Sequence, residues 1–446
     1  METIPKRRLL ILITNQFAVL NMIHTGFLEK LSRRYDISLI SDLINKRDLA
    51  SINEHFNCSL ELLNTHVPSE IRFLRFLRWI EKVLFFMTFN TSTRRIKVLQ
   101  LGLPFRFLLY CFDKMPIVKR FSRSMLSKIR EIIILISSRM FQKEGQSVLH
   151  FDGILSSSPL DIRENIIVNF LIRYTRIPAM GVVISWDNLT SKGLINSDFD
   201  QMLVWNQQMA AEFEQLYSFC KTKPKICVSG VPRFDIYFGK RTSRPAESGR
   251  KTILFATSAP KHFPDQYQIV EDLREYMQTR NGFSLLIRCH PADDPDAYRQ
   301  FAAENVEIWP SQKQNRYSPF PALDFLEVLA DTLFRCDVCL QVASTMRLDA
   351  AACNKPTISI AYDGNRKLPY AHSVRRLYSY SHQIPLNRLR LDHPVFSKKE
   401  LFECLDKLLV EDLGSTDHRL AIQKFIHHTE AKSVNSMIQY VDEWLT

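Results

Sequence analysis

The sequence predicts an α/β protein made of two successive parallel-sheet domains, and three observations carry that expectation. Short apolar runs alternate with helical stretches over most of the chain, as in strands buried on both faces and joined by crossover helices. A polar stretch at 239–250 has little to bury and separates two such series. The chain has 446 residues and 46% hydrophobic content, enough for about two to three domains of the usual ~100–200 residues.

Taken in order, 8–13 reads as a first buried strand, 26–34 as part of the following helix and 36–40 as a second strand, a β-α-β opening of the Rossmann type. The loop between, 14–25, holds His24 beyond the end of the first strand, where such sheets receive substrates, so His24 is a candidate general base.

The stretch 68–143 is different in kind. It carries sixteen Lys and Arg against four acids, and its net +12 equals the formal net charge of the whole chain. Phe73, Phe76, Trp79, Phe105, Phe107 and Tyr110 are interleaved with those cations, yet no uncharged apolar run reaches the ~18–20 residues that a transmembrane helix needs. Basic helices with bulky apolar faces lie in the membrane interface and favour anionic lipid, so an anionic membrane surface is the expected partner. Nucleic acid is not expected: the aromatic density is too high for a phosphate-tracking face, and no recognised binding module is present.

Alternation resumes at 147 with a strand at 153–158, a helix at 162–174 capped by Asp161, strands at 177–185 and 201–205, a helix at 207–217 and a strand at 225–229. After the polar stretch the pattern restarts at 251–256 and runs to 357–361, and helical segments at 398–410 and 418–445 close the chain. The expected organisation is an N-terminal domain 1–240 with a basic helical insertion 68–143, a linker 241–250, a second domain 251–395 and C-terminal helices 396–446.

The ends of these strands carry the candidate chemistry. In the second domain the run 283–291 finishes in Arg288, His290 and Pro291, and the run 336–345 finishes in Ser344 and Thr345, groups able to hold an anion. An alanine-rich helical segment at 346–353 follows, so Ser344 or Thr345 falls where an N-cap belongs and free backbone N–H groups point outward. Glycine is scarce, 12 residues in all, and no G-x-x-x-x-G-K-[ST] or G-x-G-x-x-G sequence occurs. A glycine-rich phosphate cradle is thereby excluded, and helix N-termini are the substitute.

In the first domain the strand 177–185 delivers Trp186-Asp-Asn-Leu-Thr-Ser-Lys-Gly193. There Asp187 is the first choice of general base, Trp186 offers a ring to stack on a sugar face, and Asn188 and Lys192 lie alongside. The turn 229–235 adds Gly230 and Arg233, and Asp152, just ahead of a strand, is a third candidate base.

No metal site is expected. Asp198-Phe-Asp200 precedes its strand and reads as a turn, and Asp293, Asp294 and Asp296 read as loop and helix-start acids. Cys336 and Cys339 form a C-x-x-C inside an apparent strand, where positions three apart face opposite sides. Nine cysteines, odd in number and scattered, and an opening that leads from Lys6 straight into a strand fit a reducing cytoplasm.

Arg288-Cys-His-Pro291 is similar to the His-Pro motif of bacterial sialyltransferases, Kdo transferases and glycerophosphotransferases of teichoic acid synthesis, in which a paired Ser/Thr motif follows a later strand, as Ser344 and Thr345 do here. The turn 229–235 and the stretch 186–193 resemble signatures of surface-carbohydrate enzymes. The whole arrangement looks like the two-domain glycosyltransferase fold called GT-B, with two Rossmann-like domains facing a cleft.

The resemblance implies that His290, Ser344 and Thr345 hold the phosphates of a CMP- or other nucleotide-linked sugar. It also implies a glycan or lipid-linked acceptor of capsule or lipopolysaccharide type and no cofactor, while the cysteine pattern and the basic stretch 68–143 lead to the expectation of a cytoplasmic protein peripheral on the inner face of the plasma membrane. A CDP-polyol phosphotransferase, a sugar-nucleotide epimerase and a non-catalytic GT-B scaffold are the alternatives.

Overall fold

A computed structural model of the chain describes residues 5–142, 144–239, 249–310, 320–410 and 418–446. Most of the expected linker, 241–248, lies outside the described residues. Two compact units are formed, one from the described parts of Met1–Asp235, Pro319–Phe325 and Ile426–Thr446, the other from those of Ile236–Ser318 and Leu326–Phe425.

In the first unit the chain runs β1 (Arg8–Ile13), α1 (Gln16–Met22), α2 (Phe27–Ser32), β2 (Asp36–Ser41), α3 (Lys46–His55) and β3 (Leu60–Leu62). Four helices follow, α4 (Arg72–Thr88), α5 (Ser92–Leu99), α6 (Leu103–Asp113) and α7 (Pro116–Ser137). The sheet then resumes with β4 (Gly153–Ser156), α8 (Ile162–Thr175), β5 (Ala179–Val182), β6 (Gln201–Val204), α9 (Gln207–Leu216), β7 (Lys225–Val228) and the short α10 (Asp235–Phe238). The order is β3-β2-β1-β4-β5-β6-β7, all parallel, so the strand order reverses between β1 and β4.

The second unit contains β8 (Lys251–Ala256), α11 (Tyr267–Gln278), β9 (Phe283–Arg288), β10 (Val306–Trp309), α12 (Phe325–Arg335), β11 (Val338–Gln341) and α13 (Met346–Ala352). It continues with β12 (Thr357–Ile360), α14 (Gln383–Arg388), β13 (His393–Val395), α15 (Lys398–Leu405) and α16 (Arg419–Ile426), and the last helix is α17 (Ser433–Leu445). The six strands run in parallel in the order β10-β9-β8-β11-β12-β13, reversing between β8 and β11. Ligands of such sheets sit beyond the carboxyl ends of the strands at these reversals.

Each sheet is sealed at its amino edge by an acid that precedes a strand. Asp152 Oδ2 accepts the Arg8 amide N–H at 2.7 Å, Asp337 Oδ2 accepts that of Thr252 at 2.6 Å, and Asp200 Oδ2 accepts that of Ala179 at 2.7 Å. The proposed role of Asp152 as a base is corrected by this placement: its carboxylate is spent at the edge opposite the carboxyl ends, capping a strand amide that has no ladder partner.

The closing segment 396–446, expected as two helical segments, 398–410 and 418–445, that end the chain together, is divided between the two units. The stretch 418–445 is two helices, broken where His427 and Ala431 take positive φ of 71° and 54°. α17 packs Val434, Met437, Ile438, Val441 and Leu445 into the core of the first sheet, beside Leu9, Ile11 and Met180. Its start is capped from far away in sequence, by Asp235, whose carboxylate accepts the Ser433 and Val434 amides at 3.1 and 2.9 Å.

Gly230 serves the same junction rather than a ligand. Its φ is +77°, and a Cβ there would lie 2.8 Å from the His428 ring and 2.9 Å from Ser433 Oγ, so only glycine fits.

Candidate functional site

The second unit gathers its polar loops at the reversal of strand order. The loop after β8 supplies Thr257, whose Oγ1 accepts the His290 amide at 2.8 Å and donates to Asp293 Oδ2 at 2.6 Å. Gln266 and Tyr298 donate to the same carboxylate oxygen at 3.0 and 2.9 Å, so Asp293 acts as the post that fixes the His-Pro loop. Asp294 caps the following turn through the Asp296 amide. Within that loop His290 Nδ1 accepts the Ala292 amide N–H at 3.0 Å, which leaves Nε2 to carry the proton of the neutral ring. Burial lowers the His290 pKa against the opposing effect of Asp293. The group presented is therefore a neutral N–H donor of fixed orientation, and Pro291 beside it is exposed.

Ser344 and Thr345 stand after β11. The Ser344 amide donates to Gln341 Oε1 at 2.7 Å, its Oγ accepts the Met346 amide at 3.3 Å, and Thr345 occupies the N-cap of α13 without a side-chain bond. Ala343 just before them has φ +44°, unusual for a residue with a Cβ. It is held there by its amide donating to the Tyr378 hydroxyl at 3.0 Å and its carbonyl accepting from Gln383 Nε2 at 2.7 Å. Gln383 is itself fixed by Arg347, only 1% exposed, whose guanidinium bonds Gln383 Oε1 at 2.6 Å, Asn387 at 2.9 Å and Asp392 at 3.1 Å.

Arg288 is not at the loop edge. Phe283, Leu285 and Ile287 face the core, so the strand's period of two turns Arg288 to the other side. There it is 6% exposed, stacked 3.9 Å from the Trp309 ring centroid and near Asp349. Burial pulls it down to about 10, still charged at neutral pH. It belongs to the packing beneath the loop, and the reading of Arg288 as a direct phosphate ligand is corrected accordingly.

Cys336 and Cys339 are fully buried, and burial pushes the Cys336 thiol up to about 12 and that of Cys339 well above the usual range. Among the described residues no group of three or more His, Cys, Asp or Glu is placed to hold a metal ion.

In the first unit the reversal between β1 and β4 contains a buried carboxyl that sequence reasoning missed. Glu164, fully buried on α8, accepts the Ser158 and Thr14 amides at 2.9 and 3.2 Å and lies 2.6 Å from Ser156 Oγ and 2.7 Å from Thr14 Oγ1. Thr14 Oγ1 also lies 2.9 Å from Asp161 Oδ2, and a hydroxyl has one hydrogen. If Thr14 donates to Asp161, the proton between Thr14 and Glu164 belongs to Glu164, which agrees with burial pushing that carboxyl up to about 7.

A carboxyl raised on folding binds its proton more tightly in the native state, so this group favours folding at low pH and the benefit is lost as pH rises from about 4.5 through about 7. Glu164→Gln keeps the shape and removes the titration. The slope of stability against pH in that window should flatten, by an amount on the order of 3 kcal/mol across it, measured by urea unfolding at a series of pH values.

His24 lies between α1 and α2, so the loop 14–25 is in fact largely helical. Both ring nitrogens are buried and unbonded among the described residues, and the ring meets Phe320 edge-on at 5.9 Å between centroids. Burial lowers it to about 4, so the ring is neutral at neutral pH with a free lone pair.

Asp187 is more occupied: Ser185 Oγ donates to its Oδ1 at 2.7 Å and Lys192 Nζ pairs with its Oδ2 at 3.3 Å. It opens the turn Asn188–Lys192, in which Asn188 Oδ1 is buried and unbonded among the described residues. Trp186 is 5% exposed and Arg233 is 7% exposed, its guanidinium 4.4 Å from the Phe234 ring centroid. The expectations of a stacking platform at Trp186 and of Arg233 as a residue lining the acceptor cleft are corrected: both side chains are built into the interior, where a large ring gains most from burial.

Two Rossmann-like parallel-sheet units of seven and six strands give the chain a fold of the GT-B class. No family model matches the chain, and no curated protein matches it in sequence. Among solved structures it is similar to a putative UDP-N-acetylglucosamine 2-epimerase from Listeria monocytogenes, with a TM-score of 0.54 and 11% identity over 99% of this chain and 96% of that one. It is likewise similar to the UDP-GlcNAc 2-epimerase of Neisseria meningitidis bound to UDP-GlcNAc, at 0.53 and 11% over 98% and 100%. The S. aureus MnaA–UDP structure gives 0.52 and 11% over 98% and 97%. At such identities the likeness is one of fold.

Proposed function

We propose that the chain is an enzyme of sugar-nucleotide chemistry: a metal-independent glycosyltransferase that moves a sugar from a nucleotide-activated donor to a surface-polysaccharide or lipid-linked glycan acceptor. The observation that carries this reading is the set of donors at the carboxyl ends of β9 and β11, His290 Nε2–H and the Ser344–Thr345 turn. They stand beside the reversal of strand order, where a leaving phosphate is stabilised without a metal. The similar folds solved with UDP and with UDP-GlcNAc support a nucleotide sugar as ligand, and the His-Pro resemblance favours a CMP- or CDP-linked one. For the base we take His24, whose neutral ring keeps a lone pair, ahead of Asp187, the first choice from the sequence, whose carboxylate is held by Ser185 and Lys192. Nine free cysteines support the cytoplasmic side, at the inner face of the plasma membrane.

A thermal-shift panel of CMP, CDP, UDP, GDP and their sugars identifies the ligand, because a molecule that binds only the native state raises its melting temperature. His290→Ala and Ser344→Ala should each weaken nucleotide binding by about 1–3 kcal/mol, and unchanged affinity in both by calorimetry would sink the assignment.

An epimerase is the second reading, favoured because the similar Listeria and Neisseria structures are of UDP-GlcNAc 2-epimerase type. Nucleotide release that requires an acceptor marks a transferase, and a new sugar nucleotide formed with no acceptor marks an epimerase. Transfer of a polyol phosphate from a CDP-polyol to an acceptor hydroxyl with release of CMP, or binding without turnover, would point to the remaining alternatives.

A further inference from the structure

We propose that the outer faces of α4, α6 and α7 form a docking surface for an anionic lipid bilayer. The proposal rests on the transferase reading for its purpose, the supply of a lipid-borne acceptor, but the surface is defined by its own geometry. α4 buries Leu74, Leu77, Glu81 and Phe85, one helical face, and leaves Phe73, Phe76 and Trp79 between 53% and 62% exposed on the other. α6 leaves Leu103, Phe105, Phe107 and Tyr110 exposed, and α7 leaves Ile117 and Phe121.

α4 and α7 are firmly held on their inner side. Buried Arg130 of α7 donates to the Ile195 and Ser197 carbonyls and pairs with Asp198 at 2.9 Å, and Glu81 of α4 accepts from Asn196 at 3.1 Å. The exposed rings are thus what remains after the inner faces have found their partners. A soluble surface rarely leaves so many large apolar side chains open unless something covers them.

The charge identifies the cover. Arg72 and Lys82 on α4 and Arg120, Arg123 and Lys128 on α7 are exposed among those rings. The acids of the region do not offset them: Glu81 is buried, and Glu70, Asp113 and Glu131 are each bound to a cation, Arg78, Arg94 and Lys221. A second copy of this chain would bring one strongly positive face against another. Nucleic acid would take the cations and leave the rings in water. An anionic bilayer takes both, lipid phosphates meeting Arg and Lys while Phe and Trp enter the boundary between headgroups and acyl chains.

No helix among the described residues is long and apolar enough to cross the membrane, so the contact is interfacial. Lys82, Phe85 and Phe86 of α4 line a small cavity with Thr190, Ser191 and Leu194, so the docked helix lies directly against the loop that carries Asp187.

Sedimentation of the full chain with phosphatidylcholine vesicles, with and without about a third phosphatidylglycerol, tests this. At about 0.1 M salt the protein should pellet with the anionic vesicles only, and recovery should fall near 1 M, where the screening length has dropped from about 10 to about 3 Å. The triple variant Arg72→Gln, Arg120→Gln, Lys128→Gln should bind anionic vesicles about 100-fold more weakly, since each cation near the surface contributes about fivefold. Phe76→Ser with Phe107→Ser should abolish the binding that survives high salt.

Circular dichroism and the nucleotide thermal shift must be unchanged in these variants. Equal recovery on neutral and anionic vesicles, or a DNA duplex displacing the vesicles at equal charge, would overturn the proposal. Vesicle binding that persists in a protein with no nucleotide thermal shift would instead overturn the enzymatic reading and leave the docking surface standing.

Discussion

Replacing His24 by phenylalanine should lower turnover by about 10²- to 10⁴-fold, the contribution of a positioned general base, while leaving nucleotide binding and the fold intact. The choice of phenylalanine follows from the packing. The ring sits edge-on to Phe320, and neither nitrogen makes a hydrogen bond among the described residues, so an apolar ring of similar size loses no bond. A buried polar group without a partner costs about 1–3 kcal/mol, and removing both nitrogens should hold or raise the melting temperature.

The pH profile adds a second check. A base must be unprotonated, and burial holds His24 at about 4, so kcat/KM should be flat through neutrality and fall only as pH approaches about 4. Near-normal turnover in His24→Phe would transfer the role to Asp187, with Asp187→Asn as the next variant.

Arg347→Ala should destabilise the second unit by about 3–5 kcal/mol, the loss associated with leaving one partner of a buried ion pair alone. Arg347 and Asp392 are 1% and 6% exposed, and Ser359 donates to the same carboxylate. The effect should extend to the ligand site, because Gln383 links Arg347 to the carbonyl of Ala343 and so to the turn that presents Ser344. Urea unfolding and calorimetry with the nucleotide found by thermal shift measure the two effects. In the double variant Arg347→Met, Asp392→Leu, stability should largely return, since an apolar pair of similar volume replaces buried charge at little cost, while nucleotide affinity stays low.

The strands that form the middle of each sheet were legible because a strand buried on both faces must be an apolar run: Arg8–Ile13, Lys251–Ala256 and Thr357–Ile360 are readable letter by letter. The edge strands Leu60–Leu62, Val306–Glu-Ile-Trp309 and His393–Val395 were not, being short, half exposed and without periodicity. α1 was hidden by its length, though Asn15, whose side chain accepts the Phe17 amide, is a cap that marks its start.

Asp152 misled because an acid beside a strand says nothing of which end it serves; standing before the strand, it meets the neighbouring strand's first amide. Asp161-Ile-Arg-Glu164 reads as a helix cap with its partner three residues on. In the fold Glu164 instead reaches across to Thr14, a residue 150 positions away, and no local pattern announces that. The loop cations and hydroxyls of the second unit were legible in kind, but the side on which Arg288 points depended on a register that only the assembled sheet defines.

The return of α17 to the first sheet has a consequence for how the protein is made. A ribosome delivers β1 to β7 first, yet the apolar trough filled by Val434, Met437, Ile438, Val441 and Leu445 stays open until the final turn of helix emerges, some two hundred residues after β7 (Lys225–Val228) is complete. The second unit, contained between those points, is free to fold while the first still waits. The nascent first sheet is thus the species most exposed to aggregation and to chaperones. A recombinant fragment meant to isolate it must carry 320–325, whose Phe320 and Leu323 pack on its core, as well as 426–446, whose helix start Asp235 is already placed to receive.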